Sequence, residues 1–207
     1  MLTKSFFTFI GVLQESLLAL GIGILIFVPI TLAYFSEYVP NGAYSFLFNV
    51  SLVSVFLVMI IRPLADLLPK VSWVRPLVIL RKGFGVLSAS IVVAVMFSRF
   101  LIDDLSYLSN FFSFEHWSVI DGSILAPLGD LSALILLVTS NKFSKRVLGK
   151  NWKRIQKLSY VYFYAGASYE YFFLNQNLAL IAMVVVTALV VAAFIKNRTA
   201  QTVTAPV

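Results

Sequence analysis

The sequence predicts an all-α integral membrane protein: a bundle of six transmembrane helices with both termini in the cytoplasm. Composition is the first reason. The 207 residues are 60% hydrophobic and only 12% charged, whereas soluble domains average about 45–50% apolar and about 25% charged residues. The mean hydropathy of +0.93 is the second reason, because a soluble protein of this size could not bury so much apolar surface. The alternation of basic and non-basic loops is the third.

Six apolar runs are long enough to cross a membrane as helices, which takes about 20 residues for a hydrocarbon core of about 30 Å. They predict spans at about residues 11–34, 43–61, 84–102, 118–139, 155–173 and 178–195. Together these form one transmembrane domain over residues 1–198. The first run is too long for the apolar part of a signal peptide, so it is expected to be retained. The polar residues 199–207 are expected to form a disordered tail.

The loops between the predicted spans differ in charge. Lysines and arginines occur at the N-terminus, in residues 62–82, in residues 141–157 and in the tail, while the first, third and fifth loops carry none. Because cytoplasmic loops are enriched in Lys and Arg, this alternation predicts cytoplasmic termini. The fourth loop and the start of span five supply a cytoplasmic basic face: Lys142, Lys145, Arg146, Lys150, Lys153, Arg154 and Lys157. The net charge of +7 is therefore interpreted as membrane orientation, and no nucleic acid is expected as a partner.

Two of the loops have further features besides their basic residues. Within residues 62–82, an apolar stretch around Trp73 is expected to lie along the membrane interface. The third loop, residues 103–121, is acidic and aromatic and contains His116, the only histidine of the chain.

The chain also has no Cys. Disulfides, thiolate chemistry and Cys-ligated clusters are thereby excluded.

Several short patterns occur in a fixed order at the ends of the spans. They are Arg62-Pro63-Leu64, Arg81-Lys82-Gly83-Phe84-Gly85, Thr139-Ser140, Leu148-Gly149, Trp152-Lys153-Arg154-Ile155-Gln156-Lys157-Leu158 and Tyr160. In this order the chain resembles the ferric-reductase-like transmembrane domain family. The closest branch is the haem-binding membrane subunit of the bacterial methionine-sulfoxide reductase system. The resemblance implies six helices, electron transport, another membrane protein or a redox protein as partner and the bacterial inner membrane as location.

Members of that family bind haem through histidines on spans three and five. The resemblance places those ligands at Val95 or Met96, at Gln156 and at Tyr169 of this sequence. None of these is a histidine, so bis-histidine haem ligation inside the membrane is excluded by count. Met and Tyr can act as axial ligands, but ordinary packing explains both residue types equally well. Haem is therefore not expected, and flavin or quinone remains open as cofactor.

Two acidic residues are predicted near the middle of the membrane. Glu15 lies about ten residues into span one, and Asp130 about ten residues before the inner end of span four. Ionisable groups at this depth cost about 2.5–3.5 kcal/mol on insertion scales and are often functional. They could form a protonated pair or a proton-accepting site, or each could be neutral and hydrogen-bonded to a neighbour. Arg99 and Glu170 are predicted near the outer face, either paired or separate.

Function is predicted at the level of classes only. No nucleophile elbow, metal spacing or phosphate loop occurs, and Gly83-Phe84-Gly85 lacks the context of a dinucleotide fingerprint. The chain is expected to be an accessory or atypical electron-transfer membrane subunit, at most the membrane component of an oxidoreductase system. The alternative is a small proton-coupled transporter or channel that uses Glu15 and Asp130.

Overall fold

A computed structural model describes residues 4–40 and 42–203, and all regular secondary structure in these residues is helical. The α-helices are α1 (Lys4–Tyr34), α2 (Ala43–Leu67), α3 (Val74–Leu77), α4 (Leu80–Phe111), α5 (Leu125–Thr139), α6 (Lys142–Leu148), α7 (Asn151–Ile155), α8 (Leu158–Leu174) and α9 (Asn177–Val203). Short 3₁₀ turns occur at Ser36–Tyr38 and Glu115–Trp117. The predicted all-α class is confirmed for this part of the chain.

Five of the helices close into a ring. Helix α2 packs on α4, α4 on α5, α5 on α8, α8 on α9, and α9 returns to α2. Helices α2 and α8 also touch across the middle of the ring. The shared core is apolar and is represented by Leu52, Val93, Ala133, Phe163 and Val186, one from each of the five helices. Helix α1 stands outside the ring and packs mainly on α4.

Close approach of α1 to α4 depends on a glycine. A Cβ atom built on Gly83 would lie 3.0 Å from Leu17 Cβ, closer than side chains normally pack. Further along, a Cβ on Gly21 would lie 3.4 Å from Leu87 Cα. Positions 17 and 21 of α1 thus face positions 83 and 87 of α4 in the same order. The two helices therefore run parallel, and α2 is the returning helix that connects them along the chain.

Four segments of the described chain are helical, apolar and long enough to cross a membrane: Lys4–Tyr34, Ala43–Leu67, Val74–Asp103 and Asn177–Thr199. Large apolar side chains cover their outer surfaces, among them Phe27 on α1 and Ile181 on α9, both more than half exposed. These features indicate a multi-pass membrane protein. At 1.5 Å per residue, α5 (15 residues) and α8 (17 residues) fall short of the about 30 Å hydrocarbon core. The count of six spans stays a prediction.

Several helix ends differ from the predicted boundaries. Helix α2 continues through Pro63 to Leu67, and α4 extends into the predicted third loop as far as Phe111. Helix α9 extends to Val203, so residues 199–203 continue this helix rather than forming part of a disordered tail. Residues 204–207 of that tail lie outside the described residues. Pro63 is tolerated because neighbouring helices in a bundle can satisfy the backbone group that a proline frees.

Helix α5 begins at Leu125, seven residues after the predicted start of span four at 118. Residues 118–124 form turns instead, because a serine side chain supplies competing hydrogen bonds. Ser123 Oγ donates to the carbonyl oxygen of Glu115 at 2.9 Å, and the Ile124 amide donates to that of Ser118 at 3.1 Å. These bonds fold the segment back over the end of the ring.

The basic fourth loop is mostly helical. It forms α6 and α7, which are separated by Gly149 with a φ of +51°. The Trp152 indole donates a hydrogen bond of 2.9 Å to the carbonyl oxygen of Thr139, the last residue of α5. The segment expected at the interface is a single helical turn, α3, in which Val74 is buried while the neighbouring Trp73 is exposed.

Candidate functional site

A cavity of about 320 Å³ lies inside the ring, between α2, α4, α5 and α8. This volume is at the lower end of the range of about 300–1,000 Å³ that is typical of small-molecule sites. Its walls are mainly apolar and aromatic, with Phe48, Leu52, Phe163 and Phe173 among the lining residues. At one end it reaches the Glu115–Ser123 segment through His116 and Ser123. Several polar groups interrupt these apolar walls.

At the opposite end of the cavity, three hydroxyl groups meet. Ser51 Oγ lies 2.9 Å from Ser88 Oγ and 3.1 Å from the Tyr162 hydroxyl, which is itself 2.7 Å from Ser88 Oγ. Ser88 Oγ also donates to the carbonyl oxygen of Ser51 at 3.0 Å. All three side chains are buried. The cluster joins α2, α4 and α8 and closes this end of the cavity with hydroxyl groups that hydrogen-bond to one another.

Two carboxyl groups line the wall of the cavity. Glu170 on α8 is 5% exposed, and its Oε2 atom has no hydrogen-bond partner among the described residues. Asp130 on α5 is half-buried and makes no hydrogen bond or ion pair with any residue that the structure describes. A buried carboxyl without a partner is costly unless a proton or a donor group stabilises it. Both groups are therefore available to a bound proton or to a donor on a bound molecule.

Hydrogen-bond donors lie near the same wall. Arg99 and Tyr107 on α4 and Tyr169 on α8 line the cavity, and their side chains make no hydrogen bond within the described part of the chain. The Tyr169 ring stacks on Phe173, with ring centroids 5.0 Å apart. The cavity thus combines hydrogen-bond donors, carboxyl groups and flat aromatic surfaces. This combination suits a small, largely apolar molecule that carries polar atoms at one end.

The loop at the mouth of the cavity is held by Asp121. Its Oδ1 atom accepts hydrogen bonds from the Ser123 amide at 3.3 Å and from Ser123 Oγ at 3.1 Å. Hydrogen bonds to the ionised form, first of all that from the Ser123 amide, lower the pKa of the Asp121 carboxyl below its ordinary value. The ionised carboxyl therefore helps to order the segment that leads into α5.

Three of the four positions that the resemblance assigns to haem ligands come together at the cavity. Val95, Met96 and Tyr169 all line it, from α4 and α8. Gln156 lies at the other end of α5 and α8, where its Nε2 atom is 3.3 Å from Thr139 Oγ1. The cavity therefore lies beside Val95, Met96 and Tyr169 and away from Gln156. Among residues 4–40 and 42–203, no group of three or more His, Cys, Asp or Glu residues could hold a metal ion.

Glu15 lies elsewhere. Its side chain is exposed on α1, outside the ring, and it does not line the cavity that Asp130 lines. Neighbouring Leu17 faces Gly83, so Glu15 is level with the basic start of α4. A protonated pair of Glu15 with Asp130 inside the bundle is therefore not formed in the described structure, while the predicted depth of Glu15 in the membrane stays a prediction. Helix α1 begins at Lys4, earlier than predicted, and the register of its packing on α4 places Glu15 nearer one end of the bundle.

The predicted basic face forms an exposed surface. All of its side chains are exposed on α6, α7 and the start of α8: Lys142, Lys145, Arg146, Lys150, Lys153, Arg154 and Lys157. Lys145 Nζ lies 5.3 Å from the centre of the Trp152 ring, a cation–π contact. None of these basic residues lines the cavity.

Sequence reasoning singles out Asp130, but it does not predict that Glu170, Arg99 and Ser51 line the same cavity. It predicts Glu170 near the outer face, either paired with Arg99 or separate from it. The two residues line the same cavity without forming an ion pair. Ser51 and Ser88 carry no signal in the sequence, because single serines are common in membrane helices. No protein-family model matches the chain, and no solved structure matches it either.

Proposed function

We propose that this protein is an atypical electron-transfer membrane subunit that binds a quinone in the cavity between α2, α4, α5 and α8. It would keep the ferric-reductase-like bundle of six spans, with both termini in the cytoplasm, and would lack haem. The observation that carries the proposal is that Val95, Met96 and Tyr169 line one cavity of about 320 Å³. A site for a flat redox molecule would thus remain where the resemblance places a haem.

The polar groups of the cavity fit the chemistry of a quinone. The two carbonyl oxygens of a quinone head accept hydrogen bonds, and Arg99, Tyr107 and Tyr169 are donors that line the cavity. Reduction to the quinol takes two electrons and two protons. Asp130 and Glu170 line the cavity and would exchange those protons with the quinone. The electrons would come from a partner redox protein, for which the exposed basic face offers an acidic partner a complementary surface.

A cavity-filling substitution tests the proposal. A Cβ atom on Gly166, which lines the cavity, would meet no atom within 4 Å. Gly166→Leu should therefore fill the cavity without disturbing the ring. Gly23→Leu is the matched control, because Gly23 on α1 has equally open surroundings and does not line the cavity. The measurement is binding of a short-chain benzoquinone to the detergent-purified protein, followed by quenching of tryptophan fluorescence.

The quenching signal should come from Trp117. Its indole donates to the Phe111 carbonyl oxygen at 2.8 Å, beside the cavity-lining His116, whereas Trp73 and Trp152 lie near the opposite end of the bundle. We expect at least about tenfold weaker binding in Gly166→Leu, a change of about 1.4 kcal/mol, and unchanged binding in Gly23→Leu. Equal affinity in both variants, or quenching that persists in Trp117→Phe, would remove the quinone site. A Soret band in the purified protein would instead support haem.

Proton-coupled transport is the second candidate, favoured by the Glu170 carboxyl oxygen that has no partner in the described structure and by Asp130, which lines the same cavity. In this hypothesis, Glu170 takes the role that the sequence analysis assigns to Glu15. In liposomes with an internal pH dye, a proton flux along an imposed gradient should disappear in Asp130→Asn and Glu170→Gln. Glu15→Gln is the matched control and should leave the flux unchanged. If only Glu15→Gln abolished the flux, the cavity would not be the proton pathway.

A further inference from the structure

A second pocket lies at the end of the bundle opposite the cavity mouth. It has a volume of about 470 Å³ and is formed by the last turn of α2, the segment with α3, and the end of α9. Its charged lining residues are Arg62 and Asp66 from α2, Arg75 from α3 and Lys196 from α9. With three cations and one carboxylate, the pocket carries a net charge of about +2 at neutral pH. It is separate from the quinone site proposed above.

The cations of this pocket retain most of their hydrogen-bonding capacity. Lys196 Nζ donates to the carbonyl oxygens of Leu67 at 2.7 Å and Asp66 at 3.2 Å, which leaves one of its three donors. Arg62 Nε contacts Asp66 Oδ2 at 3.4 Å, and its terminal nitrogens make no hydrogen bond within the described residues. The Arg75 side chain makes none with any residue that the structure describes. The pocket therefore holds more donors than its own acceptors can use.

The Lys196 contacts also remove the main obstacle to an anion. The end of α2 presents carbonyl oxygens, which carry partial negative charge and repel anions. Lys196 covers two of them with its ammonium group. An anion in the pocket would therefore meet the guanidinium groups of Arg62 and Arg75 and the ammonium group of Lys196.

The pocket lies at the level where the apolar surface ends. Phe194 and Ile195, directly before Lys196 on α9, are both more than half exposed, as is Trp73 near Arg75. Exposed tryptophan beside basic residues is typical of the headgroup region of a membrane. Any occupant of the pocket is thus adjacent to lipid. Basic pockets between membrane helices at this level bind the phosphate groups of anionic lipids.

We propose that the pocket formed by Arg62, Arg75 and Lys196 binds the phosphate group of an anionic phospholipid. Arg75 and the terminal nitrogens of Arg62 donate to the phosphate oxygens, and Lys196 adds its third donor. Asp66 opposes the bound anion, because its carboxylate neutralises Arg62 and faces the same space. The lipid holds the ends of α2 and α9 together with the segment that contains α3.

Native mass spectrometry of the full chain tests the proposal. The protein is delipidated in neutral detergent, and phosphatidylglycerol or phosphatidylcholine is added back. We expect tighter binding of one phosphatidylglycerol than of phosphatidylcholine. Arg75→Gln should weaken the phosphatidylglycerol complex about fivefold, the effect of one basic residue near a charged lipid. Asp66→Asn should strengthen it, because a repulsive charge is removed.

Lys150→Gln is the matched control, since Lys150 is an exposed basic residue that does not line the pocket. It should leave the affinity for phosphatidylglycerol unchanged. An equal loss in Lys150→Gln and Arg75→Gln would show general attraction to net charge and overturn the proposal. Complete displacement of the lipid by millimolar inorganic phosphate would also overturn the proposal, since the pocket would then be a site for free phosphate. Asp66→Asn does not remove a cation, so weaker binding in this variant would also contradict the proposed site.

Discussion

The hydroxyl of Tyr162 lies 2.7 Å from Ser88 Oγ and thereby ties α8 to α4 at the closed end of the cavity. Ser51 completes the contact from α2, so one buried cluster connects three helices of the ring. Water is scarce at this depth, and a hydroxyl that loses its partner there has few alternatives. The cluster is therefore expected to contribute to stability as well as to shape the site.

Tyr162→Phe removes this hydroxyl while keeping the ring that packs in the core. We expect the free energy of unfolding to fall by about 1–2 kcal/mol, because two serine hydroxyls lose a partner. Unfolding in mixed micelles, followed by circular dichroism, measures the change. Tyr160→Phe is the control, because Tyr160 is exposed on the same helix. Removing its hydroxyl should lower the free energy of unfolding by less than about 0.5 kcal/mol. Equal effects of the two substitutions would argue against a stabilising cluster.

Gly83→Leu should weaken the packing of α1 on the ring. The new side chain would overlap Leu17, because its Cβ atom would lie only 3.0 Å from the Cβ atom of Leu17. Overpacking of this kind costs about 1–3 kcal/mol, and the same unfolding measurement detects it. Gly11→Leu serves as the control, because a Cβ atom there meets nothing within 4 Å. A Gly83→Leu variant as stable as Gly11→Leu would contradict the described contact.

Trp152 is expected to order the basic segment between α5 and α8. Its indole donates to the Thr139 carbonyl oxygen at 2.9 Å, and Lys145 stacks on its ring. Trp152→Phe keeps an aromatic ring but loses the donor, so α6 and α7 should open more often. Limited trypsin digestion after the lysines of this segment should become several-fold faster. Trp73→Phe, at an exposed ring, should leave the digestion rate unchanged.

Asp121 gives the loop at the cavity mouth a defined pH dependence. Its folded-state pKa is lowered by the Ser123 hydrogen bonds, so its stabilising effect is present above the unfolded pKa of about 3.9. The effect is lost as the pH falls from there through the lower folded-state value. Hydrogen exchange in residues 115–125, corrected for intrinsic rates, should therefore accelerate below about pH 4. In Asp121→Asn this acid-dependent step should be absent; its persistence would exclude Asp121 as the cause.

The candidate site is predictable from the sequence only in part. Asp130 can be selected because an acidic residue in an apolar run is unusual, and the resemblance names Met96 and Tyr169 as positions of haem ligands. The sequence predicts Glu170 near the outer face. Counting residues from a predicted helix end gives the depth of a side chain in the membrane, but it does not reveal that this side chain points into a cavity. The hydroxyl cluster of Ser51, Ser88 and Tyr162 joins residues up to 111 positions apart. No local pattern encodes such a contact.

The sequence by itself determined that this protein is helical and that much of its surface is apolar. Long apolar runs must satisfy their own backbone hydrogen bonds in lipid, and a helix does so within a single segment. Only the tertiary structure decided that Asp130 and Glu170 line a cavity while Glu15 lies outside the ring. The physical reason is that lipid and the bundle interior are similarly apolar, so the hydrophobic pattern of a membrane helix carries little information about which face points inward.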